Sequence, residues 1–430
     1  MINAVEELVK ILEGKNIEWE IYWEESRSTS FKIEKGKIER VQQKFSAGIG
    51  LRVGVGGKQG FSYITGLEHD RKTLEEFVKR TVKLARVGEV EFVGLPTPKG
   101  VPRVKGLYDP QIARLGFEEG HEMAEAFVEG MAGKDATFSG SLGYGVGRDG
   151  IVNSNGVELE WEGTAFTLHA YAVRKDGRTG TGSEYKALRE LPGEEVFDEV
   201  IEKALWELEL SYQAGRLDSY EGEIIFEPHA LASILDVLLP NLHANTVYHG
   251  RSRFRETDVE VASEVFTLLD DATLPGGVAS YPFDGEGNPG QRTVLIEGGI
   301  LRSFLYDERY ARLMNAESTG NAVRDFRTAP SIGTSNVVVR GKGENLEDLD
   351  RAIVVRKVYG EHTANPVSGD FSLTIELGYV VKGGEVRPFK DNMLAGNIFE
   401  FLKDIGAVGR KVEVIGSFVS PRVLSRARIV

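Results

Sequence analysis

The chain has 430 residues, too many for one ordinary core, so two domains are expected. Its formal net charge of −14 at pH 7 argues against nucleic acid, whose phosphates call for clustered Lys and Arg. Cysteine is absent, which excludes disulfides, thiolate metal ligands and a Cys nucleophile, and no 18 apolar residues run together to span a membrane.

MINAVEELVKILEG opens the chain as an amphipathic helix with Val5, Leu8, Val9 and Leu12 on one face. Its glutamates are unlike a targeting signal, and a cytoplasmic protein is expected. Residues 17–41 alternate as strands paired through an EKGK turn, and 48–65 read as a hairpin turning at Gly56 and Gly57. GVGGKQG only superficially resembles a phosphate loop, since no Gly-Lys-Ser/Thr follows and no helix opens after it. Residues 73–87 form a second amphipathic helix, and a proline-spaced connector leads to a helix over 115–132.

That helix contains HEMAEAF, one step short of a zinc signature. His121 and Glu122 are followed by Glu125 where a second histidine would have to stand, so a surface or boundary histidine is expected. A meander over 154–185 then echoes the first hairpin: TAFTLHAYAVRKDGRTG against SAGIGLRVGVGGKQG, a weak internal duplication. A long helix over 193–214 completes an N-terminal α+β domain of antiparallel sheet and helices, residues 1–220. Residues 221–430 should form a mostly antiparallel, barrel-like β domain with short helices such as NLEDLDRAI and NIFEFLKDI.

The second half carries VYHGRSRF (247–254), DDATLPGGVASYPFDGEGNPGQRT (270–293), LIEGGILRSFLYD (295–307), STGNAVRDF, SGDFSLTIELGYVVKGGEV, AGNIFEFLKDIGAV and GSFVSPRVL. Together with KIERVQQKFSAGIGLRVGVGGKQGFSYIT in the first half, this ordered set resembles the TldD/PmbA family, once named as modulators of DNA gyrase. The resemblance implies a cytoplasmic heteromeric peptidase that acts on small or unfolded peptides. TldD-type chains of that family carry His-Glu-x-x-x-His and a distant Cys for zinc, and PmbA/TldE-type chains lack them. Laying IIFEPHALASILDVLLPNLH on that pattern puts Asp236, Val237 and Asn241 at the positions of the first His, the Glu and the second His. Ser417 lies near the place of the Cys. Val237 has no group to take a proton from water, and Asn241 is a feeble ligand.

The resemblance therefore implies a PmbA/TldE-like chain with no catalytic residue and no metal of its own, zinc being held by a TldD-type partner. That partner would make a heterodimer, or a second copy would make a homodimer, and extended peptides would bind along a sheet edge. Peptide or partner contacts are sought at Arg251, Asn321, Arg324 and Asp370, which could instead cap turns and hold the β domain together. Asp270 and Asp271 should begin the turn DDATLPGG, since neighbours in a strand point to opposite faces. Two alternatives stay open. One is a metallopeptidase in its own right, with an atypical site built from His229, His243 and His249; the other is a regulatory protein binding DNA gyrase or another partner.

Overall fold

Residues 3–213 spell one series of elements twice in the computed structural model, which describes residues 3–430. The first unit runs α1 (Asn3–Glu13), β1 (Glu18–Glu34), β2 (Lys37–Val55), β3 (Lys58–Thr65) and α2 (Arg71–Val87). After the short α3 (Pro110–Arg114), the second runs α4 (Phe117–Met131), β4 (Thr137–Asn153), β5 (Glu158–Asp176), β6 (Arg178–Leu188) and α5 (Glu194–Gln213). In the first unit both hairpin turns place two successive residues at positive φ, Lys35 and Gly36 (53° and 67°), then Gly56 and Gly57 (58° and 74°). Such turns match the twist of the strands they join.

The six strands form one antiparallel sheet in the order β3-β2-β1-β4-β5-β6, with β1 beside β4 at its centre. Alternation puts the apolar residues of every strand on one face. There α1 and α2 cover Trp19, Ile21, Trp23, Ile49, Leu51 and Val53, and α4 and α5 cover Phe31, Phe138, Leu142, Phe166 and Leu168. Asp70 caps α2 by accepting a bond from the Thr73 amide at 2.7 Å. β4 is central although Gly140, Gly143, Gly145, Gly147 and Gly150 interrupt its pattern; long partners on both sides hold it in the sheet.

The chain leaves this sheet after α5 and enters a second one at β7 (Tyr220–Phe226). There follow α6 (Pro228–Leu238), a 3-10 turn (Leu239–Leu242), α7 (Ala244–Tyr248), β8 (Val259–Glu260), β9 (Thr267–Asp271), β10 (Arg292–Glu297), β11 (Ile300–Leu301), α8 (Glu308–Leu313), β12 (Ala322–Val323) and β13 (Ser331–Ile332). The rest comprises β14 (Val337–Arg340), β15 (Arg351–Tyr359), β16 (Asp370–Lys382), β17 (Glu385–Phe389), β18 (Met393–Asn397), α9 (Ile398–Lys403), β19 (Ala407–Ile415) and β20 (Phe418–Ile429). Five of these strands close a ring, β7-β15-β16-β18-β20 and back to β7, so the expected barrel is present. α6 is apolar nearly all round and packs against β15, β20 and α9 in the domain's main core.

One expected element is corrected. NLEDLDRAI is not a helix: residues 345–350 form a loop, and Arg351 onward pairs with β16 in β15. The ladder takes the last third of the segment, and what remains is too short to nucleate a helix. NIFEFLKDI does contain one, α9, capped by Asn397. No helix among the described residues is long and apolar enough to cross a membrane.

The second domain covers part of the first sheet's face opposite the helices and also packs against α5. Phe326 presses its ring on β2, where a Cβ at Gly48 would lie 2.1 Å from it, so only glycine fits there. Two buried ion clusters hold the seam. In one, Arg52 reaches Glu20 (2.6 Å) and Glu286 (2.8 Å), and Arg324 also reaches Glu20 (2.5 Å). In the other, Arg356 bonds Glu207 (2.7 Å) and Glu227 (2.5 Å), and Lys357 bonds Glu207 (2.7 Å).

Candidate functional site

α6 follows β7 without a loop, because Pro228 supplies a first helical residue that needs no amide partner. Glu227 stands at its N-cap, buried, bonded to Arg356, to Arg422 (2.6 Å) and to the Tyr379 hydroxyl (2.5 Å). Burial works against its charge, yet the Arg356 and Arg422 guanidiniums hold its carboxyl below the usual range. Pro240 lies just beyond the helix end, and the chain tightens into the 3-10 turn over Leu239–Leu242.

The three positions aligned with a zinc motif therefore part company. Asp236 lies on the exposed side of α6, its carboxyl pushed up by burial of its surroundings and by Glu361. Val237 is 3% exposed and packs in the apolar core. Asn241 is 1% exposed and committed on both sides. Its Nδ2 donates to the Pro366 carbonyl (2.7 Å), and its Oδ1 accepts from the Arg253 amide (2.8 Å). Its own carbonyl accepts from Ser252 Oγ (2.8 Å), so Asn241 ties down the loop that carries Arg251. Ser417 sits in the turn before β20, its carbonyl taken by the Val337 amide at 2.9 Å. An exposed carboxylate, a sealed valine and a saturated amide do not fit a zinc ion, which needs three converging donors and an open position.

The histidines do not supply a substitute. His229 Nδ1 is buried without a partner among the described residues, and burial with Lys357, Arg356 and Lys203 nearby pushes its pKa down to about 2. His243 Nε2 is likewise unpartnered, and burial brings its pKa down to about 4. His249 is exposed, with Nε2 3.1 Å from the Tyr310 hydroxyl. Among the described residues no three His, Asp or Glu side chains converge in a way that could hold a metal. His121 stacks on Phe117, rings 5.9 Å apart, with Nε2 3.4 Å from Glu125.

Two of the four sequence candidates for peptide or partner contact have buried side chains. Asn321 is 1% exposed and donates to Asp270 Oδ1 (2.8 Å) and to the Gly333 carbonyl (3.1 Å). Asp270 also takes the Ser335 amide (2.7 Å) and hydroxyl (2.6 Å), so Asn321 belongs to a knot behind β9. Arg324 has no exposed side-chain surface; paired to Glu20 across the domain seam, it lies over the Tyr22 ring at 4.8 Å. Both side chains therefore face the interior of the chain. Arg251 is exposed. Asp370 is exposed too, its carboxylate accepting from Asn397 Nδ2 (2.9 Å), a bond that with Ser368 holds its pKa low. Asp271 does begin a turn, accepting from the Thr273 amide and hydroxyl.

Sequence reading missed the charged residues of the seam, Glu20, Arg52, Glu286 and Arg356. Each lies in an alternating strand or a turn-rich segment where a charge reads as solvated, and no local signal separates them from surface charges. It also missed an open groove on the helical side of the first sheet, where α3 leaves the centre uncovered. Two adjoining hollows of about 420 and 430 Å³ there share Arg27, Phe45, Ala113 and Val146.

The sequence matches PmbA/TldA metallopeptidase domain 1 over residues 19–85, the central domain over 111–208 and the C-terminal domain over 219–429. The chain belongs to this PmbA/TldD metallopeptidase family. It is 31% identical to an uncharacterized protein of Methanocaldococcus jannaschii, covering 99% of each chain. It is 26% identical to a metalloprotease of the same organism, over 96% of this chain and 94% of the other. Its fold is that of TldE from Thermococcus kodakarensis (TM-score 0.90, 24% identity, 99% of this chain and 100% of that one). A candidate modulator of a DNA gyrase from Thermotoga maritima has the same fold (TM-score 0.89, 24% identity, 99% of each chain).

Proposed function

We propose that this chain is the non-catalytic, peptide-binding and structural subunit of a cytoplasmic TldD/TldE-type metallopeptidase complex. The observation that carries this is the state of the motif helix: Val237 is sealed in the core and both sides of the Asn241 amide are used. A general base and a ligand are thus replaced by groups that build the barrel instead. The zinc would sit in a TldD-type partner, and this chain would complete the chamber, as a heterodimer or, without that partner, as a homodimer. Extended peptides suit such a chamber, since backbone hydrogen bonds to a sheet do not depend on side-chain identity.

The test combines metal content with activity. Tag-free protein dialysed against a weak chelator should carry close to no zinc and should cleave no unfolded peptide alone. Mixed with a TldD-type chain, it should raise cleavage above what that chain achieves by itself. About one zinc per chain, together with cleavage by this chain alone, would overturn the proposal.

A further inference from the structure

The middle of the first sheet is open on its helical face, between the pair α1 and α2 and the pair α4 and α5. Alternation puts Glu25, Arg27 and Thr29 of β1 on that face, with Phe45 of β2 on one side of Arg27 and Val146 of β4 on the other. α3 packs over β4 and β5 and makes the wall facing Phe45. The two hollows of about 420 and 430 Å³ lie end to end here. One spans Arg27 to Thr29 on β1 and Tyr144 to Val146 on β4; the other spans Glu25 to Arg27 and Val146 to Arg148. They are thus offset by two residues along the strands, about 7 Å. Arg27 stands between them, its Nη2 donating to the Ala113 carbonyl of α3.

Aromatic side chains edge this groove and stay open to solvent: Phe45 is 71% exposed, Tyr108 44% and Phe117 43%. No guanidinium lies over these rings among the described residues; that of Arg148 lies over Trp23, at 5.1 Å. The charge here runs against that of the chain, which is −14 overall. No Asp or Glu lines the first hollow. In the second, Glu25 and Glu162 lie 3.9 and 3.8 Å from Arg148, which also pairs with Glu160 at 2.9 Å. Arg27 and Arg114 make no ion pair among the described residues, so two cations on the groove are uncompensated. An extended chain sets every second side chain on one side, about 7 Å apart, which is the offset of the hollows. Apolar side chains of such a chain would be buried against the open rings, and carboxylates beside them would meet the free guanidiniums.

We infer that this groove binds an extended acidic peptide segment, seating bulky apolar side chains at positions i and i+2 in the two hollows. Arg27 meets the backbone carbonyl between them, and Arg114 meets a flanking carboxylate. The inference rests on the peptide-binding role proposed above and names where the peptide lies and which sequences it prefers. The test titrates C-terminally labelled Gly-Glu-Phe-Ser-Phe-Glu-Gly against the intact chain by fluorescence anisotropy. Two controls go beside it: a reordered peptide whose two Phe stand three positions apart, and one with Lys in place of Glu. The first peptide should bind about tenfold more tightly than either control. Phe45→Ser should erase the preference for spacing, and Arg114→Glu should reverse the preference for charge; both side chains are exposed, so the variants keep the fold. Equal binding of all three peptides, unchanged in both variants, overturns the groove assignment and leaves peptide binding standing. Preferences as expected, with no gain in cleavage of the first peptide when a TldD-type chain is added, support the groove and overturn the subunit role. A dimer that Phe45→Ser dissociates in sedimentation while peptide affinity stays the same overturns the inference, since the groove is then a contact between copies.

Discussion

Asn241 and His243 lie two residues apart where α6 runs out, the first with its amide bonded on both sides and the second buried with Nε2 unpartnered among the described residues. Truncating Asn241 to Ala would leave the Arg253 amide and the Pro366 carbonyl unpartnered in a buried place. Each such orphan costs on the order of 1–3 kcal/mol, so Asn241→Ala should lower the unfolding free energy by about 2–4 kcal/mol. Urea denaturation checks this, as a lower midpoint at unchanged slope; a loss below about 0.5 kcal/mol would mean the amide is not structural. His243 sets a pH dependence. Unfolded, it titrates near 6.5; folded, burial holds it at about 4. The unfolded chain therefore takes up the proton first as pH falls through that window. Stability should drop by at most about 1.4 kcal/mol per pH unit from this residue between pH 6.5 and 4. The component should vanish in His243→Gln, so the stability gap between the two proteins, measured by urea at pH 7.5 and pH 5, should change in the variant's favour at the lower pH. A gap independent of pH would show that His243 does not titrate in the fold.

At the scale of elements, the two halves of the first domain use one packing device. The third strand of each unit carries a glycine where the closing helix crosses it. A Cβ at Gly60 would lie 2.4 Å from the Thr81 carbonyl of α2, and one at Gly182 would lie 2.1 Å from the Ala204 carbonyl of α5. Backbone cannot yield as a side chain can, so Gly182→Ala should force α5 off β6 and cost about 2–3 kcal/mol. Gly36→Ala, at an open turn, should act through its positive φ alone and cost less, about 1 kcal/mol. Denaturation of the two variants side by side separates close packing from backbone strain, and equal losses would refute the packing account. The same logic explains what was legible. Alternation over 17–65 and helical spacing over 73–87 come from contacts within one element and its neighbour. β4 was not, because five glycines erase its pattern and its partners lie on other strands.

Across the whole molecule, the two domains are joined through buried charge. Arg52→Met would leave Glu286 without its cation, while Glu20 keeps Arg324. Removing one partner of a buried pair typically costs about 3–5 kcal/mol, and here the loss falls at the seam. All four tryptophans, Trp19, Trp23, Trp161 and Trp206, belong to the first domain. Tryptophan fluorescence thus follows one domain and far-ultraviolet circular dichroism both. The two denaturation curves should coincide in the native protein and separate in Arg52→Met. Coincident curves at an unchanged midpoint would show that the cluster does not couple the domains. Glu286→Gln added to Arg52→Met should restore part of the loss, since it removes the orphaned charge.

The sequence by itself determined the class of fold and the residue types that stand at the aligned motif positions. These rest on residue type and on short-range periodicity: a valine cannot carry a proton, and apolar residues at every second or fourth position must face a core. Only the tertiary structure decided what the polar residues do. Asn321 and Arg324 look like exposed contacts in a turn-rich stretch, yet folding buries both, one in a knot with Asp270 and one across the domain seam. Arg251 and Asp370, in similar stretches, remain on the surface. Whether a polar group meets water or a buried partner depends here on residues 51 and 304 positions away. No local pattern records that distance.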